Sequence, residues 1–490
     1  MEGFLIGIGI VAATIAIIAI YRFASARPAQ VQHTETKSKS CNFSTNDPEI
    51  VIIGAGIAGA SLAAVLGKGG RRVVMIERDM SQPPSTDFKG EGLQPGGMRT
   101  LLDMGLNGVV KDLKGMPFAG LVVSDYETGL KTKITYSQVG MITRHWNIVQ
   151  PLRKHAQAEP TVELIEGVVT ELVKDNGRVT GVKYREKDSQ DVKLKRAPLT
   201  VISDGPYSKF RKVSPNVPDS ETESYIIGIE LRNVQHPDPS YAEVRIGSPL
   251  VQTITYRVDD TTSRVLIAFR NKPDNTAQFL ETKVVPNLPD FIQIPAQETL
   301  KRQSYFKCLQ CKRTPASNDN LPGVLILGEA FNSRDQMGAS GMSVALNDVK
   351  FWQRALSDIP DLSDDEAFLK QKELFMKQRK SYSWTINMTS HIVNVLGAER
   401  QSSSVKLRHA LMRNTKDLEK GVPREIQQAA YDLFSLLNVD EGLLRTLMYN
   451  TCRDAVLQCI TWRSLIQPWK TVQDIYGIIT KYRSIISADV

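Results

Sequence analysis

Residues 49–59 read Glu-Ile-Val-Ile-Ile-Gly-Ala-Gly-Ile-Ala-Gly, and this stretch decides the fold. The short β-branched run over residues 49–53 is typical of a buried parallel strand. The glycines that follow, Gly54, Gly56 and Gly59, have the GxGxxG spacing of a strand–turn–helix unit. There the first glycine allows a tight turn, the second lets a diphosphate approach the backbone, and the third lets helix and strand pack closely. The stretch therefore predicts a Rossmann-like dinucleotide site.

A second strand and an acidic residue complete this unit. Residues 58–68 predict a helix rich in small side chains, and residues 72–76 predict the next strand, which ends at Glu77. The first N–H groups of such a helix receive phosphate oxygens, and a carboxylate about 20 residues further on accepts hydrogen bonds from ribose hydroxyls. The alternative is a purely structural glycine-rich turn, which the flanking strands and Glu77 disfavour.

Composition and charge narrow the class of protein. The 490 residues are 41% apolar and 23% charged, which is ordinary for a globular protein of two or three packed units. The net charge of +8 suits an anionic cofactor or membrane surface, and the sequence has no aromatic-interleaved basic tract that would indicate nucleic-acid binding. The five cysteines are too few, and odd in number, for a disulfide framework. Cys308 and Cys311 form a lone CxxC without the second ligand pair of a zinc site, so we expect free thiols and no metal.

The N-terminal residues predict a membrane anchor. Residues 4–21 form an uncharged apolar run of about 18 residues, the minimum for a helix that spans a bilayer. Basic residues follow, starting at Arg22, so the positive-inside rule places the rest of the chain in the cytosol. Residues 23–47 have the composition of a linker. A cleaved signal peptide is the alternative, which Ala-Ser-Ala at 24–26 favours and the acidic Glu2 disfavours.

Two further turns carry acidic residues after predicted strands. Asp204 follows a strand that ends at Ile202, and Glu329 follows a strand that ends at Leu327. Met342 then opens a helix whose N-terminal amides suit a ribityl chain and a flavin ring edge. Each turn alone is ordinary, but in this order after GxGxxG they resemble the signature of FAD-dependent aromatic-hydroxylase-like monooxygenases. The sequence has no second GxGxxG for a nicotinamide nucleotide, so we expect electrons to come from another protein.

Longer stretches of the chain resemble the squalene epoxidase family. The resemblance extends from residue 47 to about residue 395. It is carried by segments 47–56, 90–97 (GEGLQPGG), 156–160 with 165–169, 197–205 (APLTVISDG) with 208–212, 323–332 (GVLILGEAFN) and 359–362. The second and fourth of these stretches are particularly specific to the family.

This resemblance implies epoxidation of squalene to (S)-2,3-oxidosqualene with O₂, in sterol biosynthesis. It implies FAD as cofactor, NADPH-dependent cytochrome P450 reductase as electron donor, and the endoplasmic reticulum membrane as location, with the catalytic part cytosolic. The implied FAD contacts, together with the turn residues above, are Gly54, Gly56, Ile57, Gly59, Glu77, Arg78, Arg153, Val169, Asp204, Glu329 and Met342. Arg153 also suits a diphosphate by its own chemistry, with a solvated helix residue beside Lys154 as the alternative.

Several positions depart from the family pattern. The tyrosine that the family pairs with the glutamine matching Gln94 is Leu121 here, and spacing does not show whether Tyr126 or Tyr136 replaces it. Gln94 is a catalytic candidate, because it could orient a group beside the flavin. The alternative is that it is a residue of a surface turn without a catalytic role.

Changes near the predicted flavin turn keep two alternative functions open. Glu329 stands where the family has aspartate, and Ala339 and Ser340 stand where it has glycines, so we expect their Cβ atoms to crowd the flavin-side backbone. One alternative is a degenerate member that binds FAD or lipid without epoxidase activity. The other is a flavin monooxygenase that acts on another apolar substrate. Basic residues beyond position 440 predict amphipathic surface helices at most.

The predicted fold class is α/β (α+β), a Rossmann-like FAD-binding domain with an inserted, mainly β substrate domain, an N-terminal transmembrane helix and a helical C-terminal region. The predicted boundaries are 1–47 for the anchor and linker; 48–120, 145–212 and 321–360 for the FAD-binding domain; 121–144 and 213–320 for the substrate domain; and 361–490 for the helical region.

Overall fold

A computed structural model describes most of the chain after the predicted anchor. The residues described are 43–84, 87–213, 217–247, 252–303, 305–317, 319–398, 401–417, 423–437, 439–460 and 468–487. The predicted membrane segment at residues 4–21 lies outside them. Among the helices that these residues form, none is both long enough and apolar enough to cross a bilayer.

The first sheet is built around the stretch that opened the sequence analysis. Its strands are β1 (Ile50–Ile53), β2 (Val73–Glu77), β6 (Val162–Asp175), β7 (Arg178–Glu186), β8 (Lys193–Arg196), β9 (Leu199–Ile202) and β15 (Val324–Ile326). They are arranged in the order β15-β9-β1-β2-β6-β7-β8, and the five strands from β15 to β6 are parallel neighbours. Every residue of β1 is buried, as expected for a strand covered on both faces. The predicted strand–turn–helix–strand unit is confirmed.

The second sheet has eight strands and is mostly antiparallel. Its strands are β3 (Gly92–Leu93), β4 (Met116–Asp125), β5 (Lys131–Ile142), β10 (Glu221–Arg232), β11 (Tyr241–Ile246), β12 (Gln252–Arg257), β13 (Thr262–Phe269) and β14 (Cys308–Arg313). They follow the order β14-β10-β13-β12-β11-β4-β5-β3, with one parallel pair between β11 and β4. The chain therefore crosses repeatedly between the two sheets, and their meeting edge gathers residues from distant segments.

Helices cover the first sheet and close the second. They are α1 (Ile57–Lys68), α2 (Pro95–Asp103), α3 (Asn107–Asp112), α4 (His145–Gln157), α5 (Thr276–Phe279), α6 (Asp290–Arg302), α7 (Gly341–Asp358), α8 (Asp365–Ala398), α9 (Ser402–Asp417), α10 (Arg424–Ser435), α11 (Glu441–Leu457) and α12 (Pro468–Ile486). The predicted helix near residue 341 and the helical C-terminal region are confirmed. The helices α2 and α3 are separate, because Gly105 adopts φ +76° between them.

The core beneath the glycine turn explains why α1 is made of small residues. Eleven of its twelve residues are buried, from Ile57 to Gly67, and the helix packs against α4 and α7 as well as the sheet. Small side chains let three neighbours approach one helix, while each buried Ile or Val on β1 contributes about 1.5–3 kcal/mol to stability. The turn before α1 is therefore held on a rigid base.

Candidate functional site

The three glycines of the glycine turn, residues 54–59, have different structural roles. Gly54 adopts φ +93°, and a Cβ there would lie 2.7 Å from the carbonyl oxygen of Ser203. A Cβ at Gly59 would lie 2.0 Å from the carbonyl oxygen of Gly54, so only glycine lets α1 approach the strand this closely. A Cβ at Gly56 would meet no atom within 4 Å. The backbone at Gly56 is therefore bare, and it faces open space at the uncapped N-terminus of α1.

Two charged side chains hold the turn from opposite sides of Ala55. The Glu77 carboxylate accepts a hydrogen bond from the Ala55 N–H at 2.7 Å, and Arg153 Nε donates to the Ala55 carbonyl at 2.8 Å. Arg153 Nη2 lies 3.4 Å from the Glu77 carboxylate. Arg153 Nη1 is buried and has no hydrogen-bond partner among the described residues. Burial lowers the pKa of Arg153, and the Glu77 charge opposes that shift. A positive group with a spare donor thus lies behind the turn, as a diphosphate site requires.

Asp204 and Glu329 come from two further turns and face the same space. Both side chains face a cavity and are otherwise surrounded by protein. This burial raises the pKa of each carboxyl. The Ser208 side chain offsets this for Asp204, and Arg334 and Lys89 offset it for Glu329. Acidic groups beside the N-terminus of α7 suit hydroxyl donors of a ligand.

These groups line one main cavity of about 760 Å³. Its wall includes nine of the predicted cofactor-contact residues, together with Gln94 and Leu121. The nine are Gly54, Gly56, Ile57, Glu77, Arg78, Val169, Asp204, Glu329 and Met342. Two predicted contacts are not on the wall. Gly59 lies behind the turn where helix and strand pack, and Arg153 lies behind Ala55. Both of these support the turn from behind.

The other end of the main cavity is apolar. Its wall there is formed by the second sheet and by helices α8, α9 and α10, with Phe118, Leu121, Val123, Ile134, Ile254, Leu266, Leu396, Leu411, Met412 and Phe434. Arg408 also lines it, but its charge is satisfied by Asp125 and Glu127 at 2.6 and 2.7 Å. The apolar end and the polar turn belong to one continuous cavity, whose volume is in the usual range for ligand pockets.

Gln94 lies near a tyrosine that spacing could not identify. Its side chain opposes the rise that burial causes in the pKa of Tyr136 on β5, and the Gln94 Oε1 atom is buried without a partner among the described residues. The Tyr136 hydroxyl also lies 3.4 Å from the Phe434 carbonyl oxygen, and burial raises the pKa of Tyr136 strongly. Leu121, at the family's tyrosine position, is an apolar part of the cavity wall. Tyr126 is 40% exposed and is not part of that wall.

The two residues that replace family glycines are accommodated by the protein. Ala339 takes a left-handed conformation with φ +45°, which costs roughly 1–3 kcal/mol for a non-glycine residue. The Ser340 hydroxyl lies 3.1 Å from that of Ser390 on α8, so it is bonded within the protein. Both residues are on the wall of the main cavity, and the predicted crowding of the flavin stays a prediction.

A buried ionic group at the cavity wall was missed by sequence reasoning. Glu91 lies 3.0 Å from Arg264 and accepts a hydrogen bond from the Tyr256 hydroxyl at 2.8 Å. Burial is the main cause that raises the pKa of Tyr256. These residues are far apart in the chain, and only the specificity of the stretch 90–97 pointed to this region. In the part of the chain that the structure describes, no cluster of His, Cys, Asp or Glu has the make-up of a metal site.

Several solved structures share this fold. The flavin-dependent brominase Bmp2 matches with a TM-score of 0.63 at 14% identity, covering 83% of this chain and all of that one. The FAD-dependent chondrochloren halogenase CndH matches at 0.57 and 14%, covering 82% and 97%. The 2-methyl-3-hydroxypyridine-5-carboxylic acid oxygenase matches at 0.55 and 14%, covering 70% and 90%. These likenesses show the fold, and together with the relatives reported next they place the chain among FAD-dependent monooxygenases.

Sequence comparisons then give the family. The squalene epoxidase family model matches residues 196–470, more than half of the chain. Squalene monooxygenase of Mus musculus is 36% identical over 76% of this chain and 66% of its own length. That of Rattus norvegicus is 34% identical over 87% and 74%. Squalene epoxidase 3 of Arabidopsis thaliana is 34% identical over 70% and 66%. The chain belongs to the squalene epoxidase family.

Proposed function

We propose that this protein is a squalene monooxygenase that uses FAD and O₂ to convert squalene to (S)-2,3-oxidosqualene. The observation that carries the proposal is the continuity of the main cavity, from the bare glycine turn to the apolar end. Squalene monooxygenases of mouse and rat are its relatives at 36% and 34% identity. The apolar wall suits an apolar hydrocarbon substrate, because burying apolar surface away from water contributes about 25 cal/mol per Å² to the binding free energy.

The residues of the cavity fit FAD in three places. The N-terminus of α1 and the Gly56 backbone would hold the diphosphate, with Arg153 behind it. Glu77 and Arg78, at the end of β2, lie where a ribose would bind. Asp204, Glu329 and Met342 would hold the ribityl chain and the ring edge. Bound FAD supplies the oxygen-activating chemistry.

The protein's own contribution is to bind, orient and exclude water. The apolar wall keeps water from the reacting alkene, and Gln94 has a buried side-chain oxygen without a partner among the described residues. We assign Gln94 an orienting role beside the flavin ring. The Tyr136 hydroxyl near it supports a working site over a degenerate one.

We further propose that electrons come from NADPH-dependent cytochrome P450 reductase at the endoplasmic reticulum membrane. The sequence has one GxGxxG, at residues 54–59, and it is assigned to FAD. Residues 4–21 would anchor the protein, with the described residues in the cytosol. The domain boundaries given above are part of the same proposal.

The test is a reconstituted assay. Purified protein, FAD, the reductase, NADPH and squalene should give an oxygen-dependent epoxide that chromatography with mass spectrometry identifies. A yellow, reducible protein that forms no epoxide from squalene, or from a panel of terpenes, sterols and fatty acyl chains, would contradict the proposal. Product from another member of that panel alone would assign a different apolar substrate.

A further inference from the structure

A second, small cavity lies beside the flavin end of the main cavity. Its volume is about 10 Å³, which is room for about one water molecule. Ser333, Arg334, Asp335 and Ser390 line both cavities and so form the wall between them. The remaining lining residues of the small cavity include Asn387, His391 and Glu223. The small cavity is therefore separated from the main cavity by this wall and is bordered by residues of α8 and β10.

The small cavity is bordered by polar atoms that lack partners among the described residues. Asn387 is 3% exposed. Its Nδ2 donates to Asn332 at 3.2 Å, whereas its Oδ1 has no partner among the described residues. Arg334 is 8% exposed, and its Nε also lacks a partner. One donor and one acceptor around a water-sized space meet the usual requirement for a bound water.

Asp335 is the buried carboxyl of the shared wall. Its Oδ2 accepts from Ser224 at 2.7 Å and from Asn394 at 3.2 Å, and its Oδ1 accepts from the Met337 N–H at 2.8 Å. Burial raises the pKa of Asp335 despite these hydrogen bonds. The charged or titratable groups that face it are Glu223 on β10, Arg270 after β13 and Cys311 on β14. A carboxyl of this kind is suited to holding a proton at the cavity wall.

The outer end of the small cavity reaches solvent through an acid–histidine pair. His391 Nδ1 lies 3.5 Å from Glu223 Oε1, and their side chains are 17% and 18% exposed. Histidine is the side chain that most readily exchanges protons near neutral pH. We propose that Glu223, His391, a water in the small cavity and Asp335 form a proton-delivery route from solvent to the flavin end of the main cavity.

The proposed reaction requires such a route, and the inference rests on that function. Alkene, O₂, two electrons and two protons give epoxide and water, so both oxygen atoms and both protons are accounted for. The electrons come from the reduced flavin. Without alkene, O₂, two electrons and two protons give hydrogen peroxide. Protons therefore have to reach the flavin in either case, and the apolar wall offers no path for them.

Three variants test the route in the FAD-loaded full chain. D335N keeps the size and the acceptor for Met337 but removes the transferable proton. H391Q interrupts the outer end. H409Q is the matched control, because His409 is a similarly buried histidine, 16% exposed, that lies 3.7 Å from Asp125 and lines neither cavity.

The first readout is the oxidation of reduced enzyme after mixing with O₂ and squalene. We expect D335N to slow it by about 100-fold and H391Q by about 10-fold, in line with losses of general acid catalysis, with H409Q within about twofold. Added imidazole should restore H391Q, and the wild-type rate should fall in D₂O. Unchanged rates and an unchanged pH profile in D335N and H391Q would overturn the route.

The second readout is independent of turnover. The infrared spectrum of the resting protein should contain the carbonyl stretch of a protonated carboxylic acid, and D335N should lose it. Its persistence in D335N would overturn the assignment to Asp335. If D335N does not fold, the oxidation rate of H391Q and its recovery with imidazole still test the route. If wild type forms hydrogen peroxide but no epoxide, the proposed function fails, while the slower oxidation in D335N still supports the route.

Discussion

At the scale of single residues, Gln94 lies near the Tyr136 hydroxyl in a chain that has Leu121 where the family has tyrosine. Tyr136 is 42 positions from Gln94 in sequence, and the two come near each other because β3 and β5 pair in the second sheet. This hydroxyl comes from a different strand than the family pattern suggested. The Gln94 Oε1 atom is buried without a partner among the described residues, and we propose that the Tyr136 hydroxyl helps to orient the Gln94 side chain.

Tyr136→Phe tests whether the Tyr136 hydroxyl helps to orient Gln94. The variant removes the buried hydroxyl, which donates a hydrogen bond to the Phe434 carbonyl oxygen, so we expect a stability loss of about 1 kcal/mol with FAD content unchanged. Freed of its partner, Gln94 should orient less well, and epoxide per NADPH consumed should fall while hydrogen peroxide rises. Leu121→Ala, which trims only the apolar wall, is the comparison. Identical coupling in Tyr136→Phe and wild type would remove the orienting role.

Glu329 gives a pH-dependent prediction for the FAD-free protein. Its pKa is raised, so the folded state holds the proton more tightly than the unfolded chain, and the charged form is disfavoured by folding. Below the ordinary glutamic acid pKa of about 4.3 the residue is protonated in both states and has no effect. Above it, the penalty grows with pH. Glu329→Gln should therefore raise the melting temperature at pH 7 and leave it unchanged near pH 4. An equal change at both pH values would contradict this account.

At the scale of elements, the turn after β4 is joined to α9 by a buried ion pair at the apolar end of the cavity. Asp125 accepts from Arg408 Nε at 2.6 Å and from the Thr128 N–H at 2.8 Å. Burial alone would raise the pKa of Asp125, but the Thr128 and Arg408 hydrogen bonds outweigh it and lower the pKa. The pair connects the second sheet to the helical region that closes the cavity.

Asp125→Asn should destabilise the protein strongly. The variant leaves the buried Arg408 charge with Glu127, whose side chain is 52% exposed, as its remaining named acidic partner, and breaking a buried pair in this way costs about 3–5 kcal/mol. Glu171→Gln breaks an exposed pair with Lys183 and should cost less than about 1 kcal/mol. Denaturant midpoints of the two variants measure the difference. Comparable midpoints would show that the buried pair does not fasten α9 to the sheet.

At the scale of the whole molecule, what the sequence predicted depends on how far apart the contacting residues lie. The strand, turn and helix over residues 50–68 are local, so their glycines and β-branched run predicted them correctly. The small cavity, in contrast, forms where α8 crosses the loop at 332–335, more than 50 residues earlier in the chain. Asn387 and Asp335 have no sequence pattern that connects them. Long-range crossings of this kind were visible only in the folded chain.

The two-sheet arrangement makes one cavity serve both cofactor and substrate. The first sheet supplies the glycine turn, the second supplies the apolar wall, and the helices after residue 365 close the space between them. The account depends on FAD binding at the bare turn, since the apolar end has no chemistry of its own. Gly56 is the residue at which this can be tested without disturbing the fold, because its Cβ direction is open.

The decisive measurement is FAD binding by the purified full chain, followed by its visible spectrum and by calorimetric titration. We predict a flavin band near one FAD per chain, lost in Gly56→Val through a fall in affinity of at least about tenfold, or 1.4 kcal/mol, with the FAD-free melting temperature retained. Gly59→Val should instead lower that melting temperature, because its side chain would strike the Gly54 carbonyl. A colourless, folded wild-type protein whose melting temperature does not rise with added FAD would contradict the account.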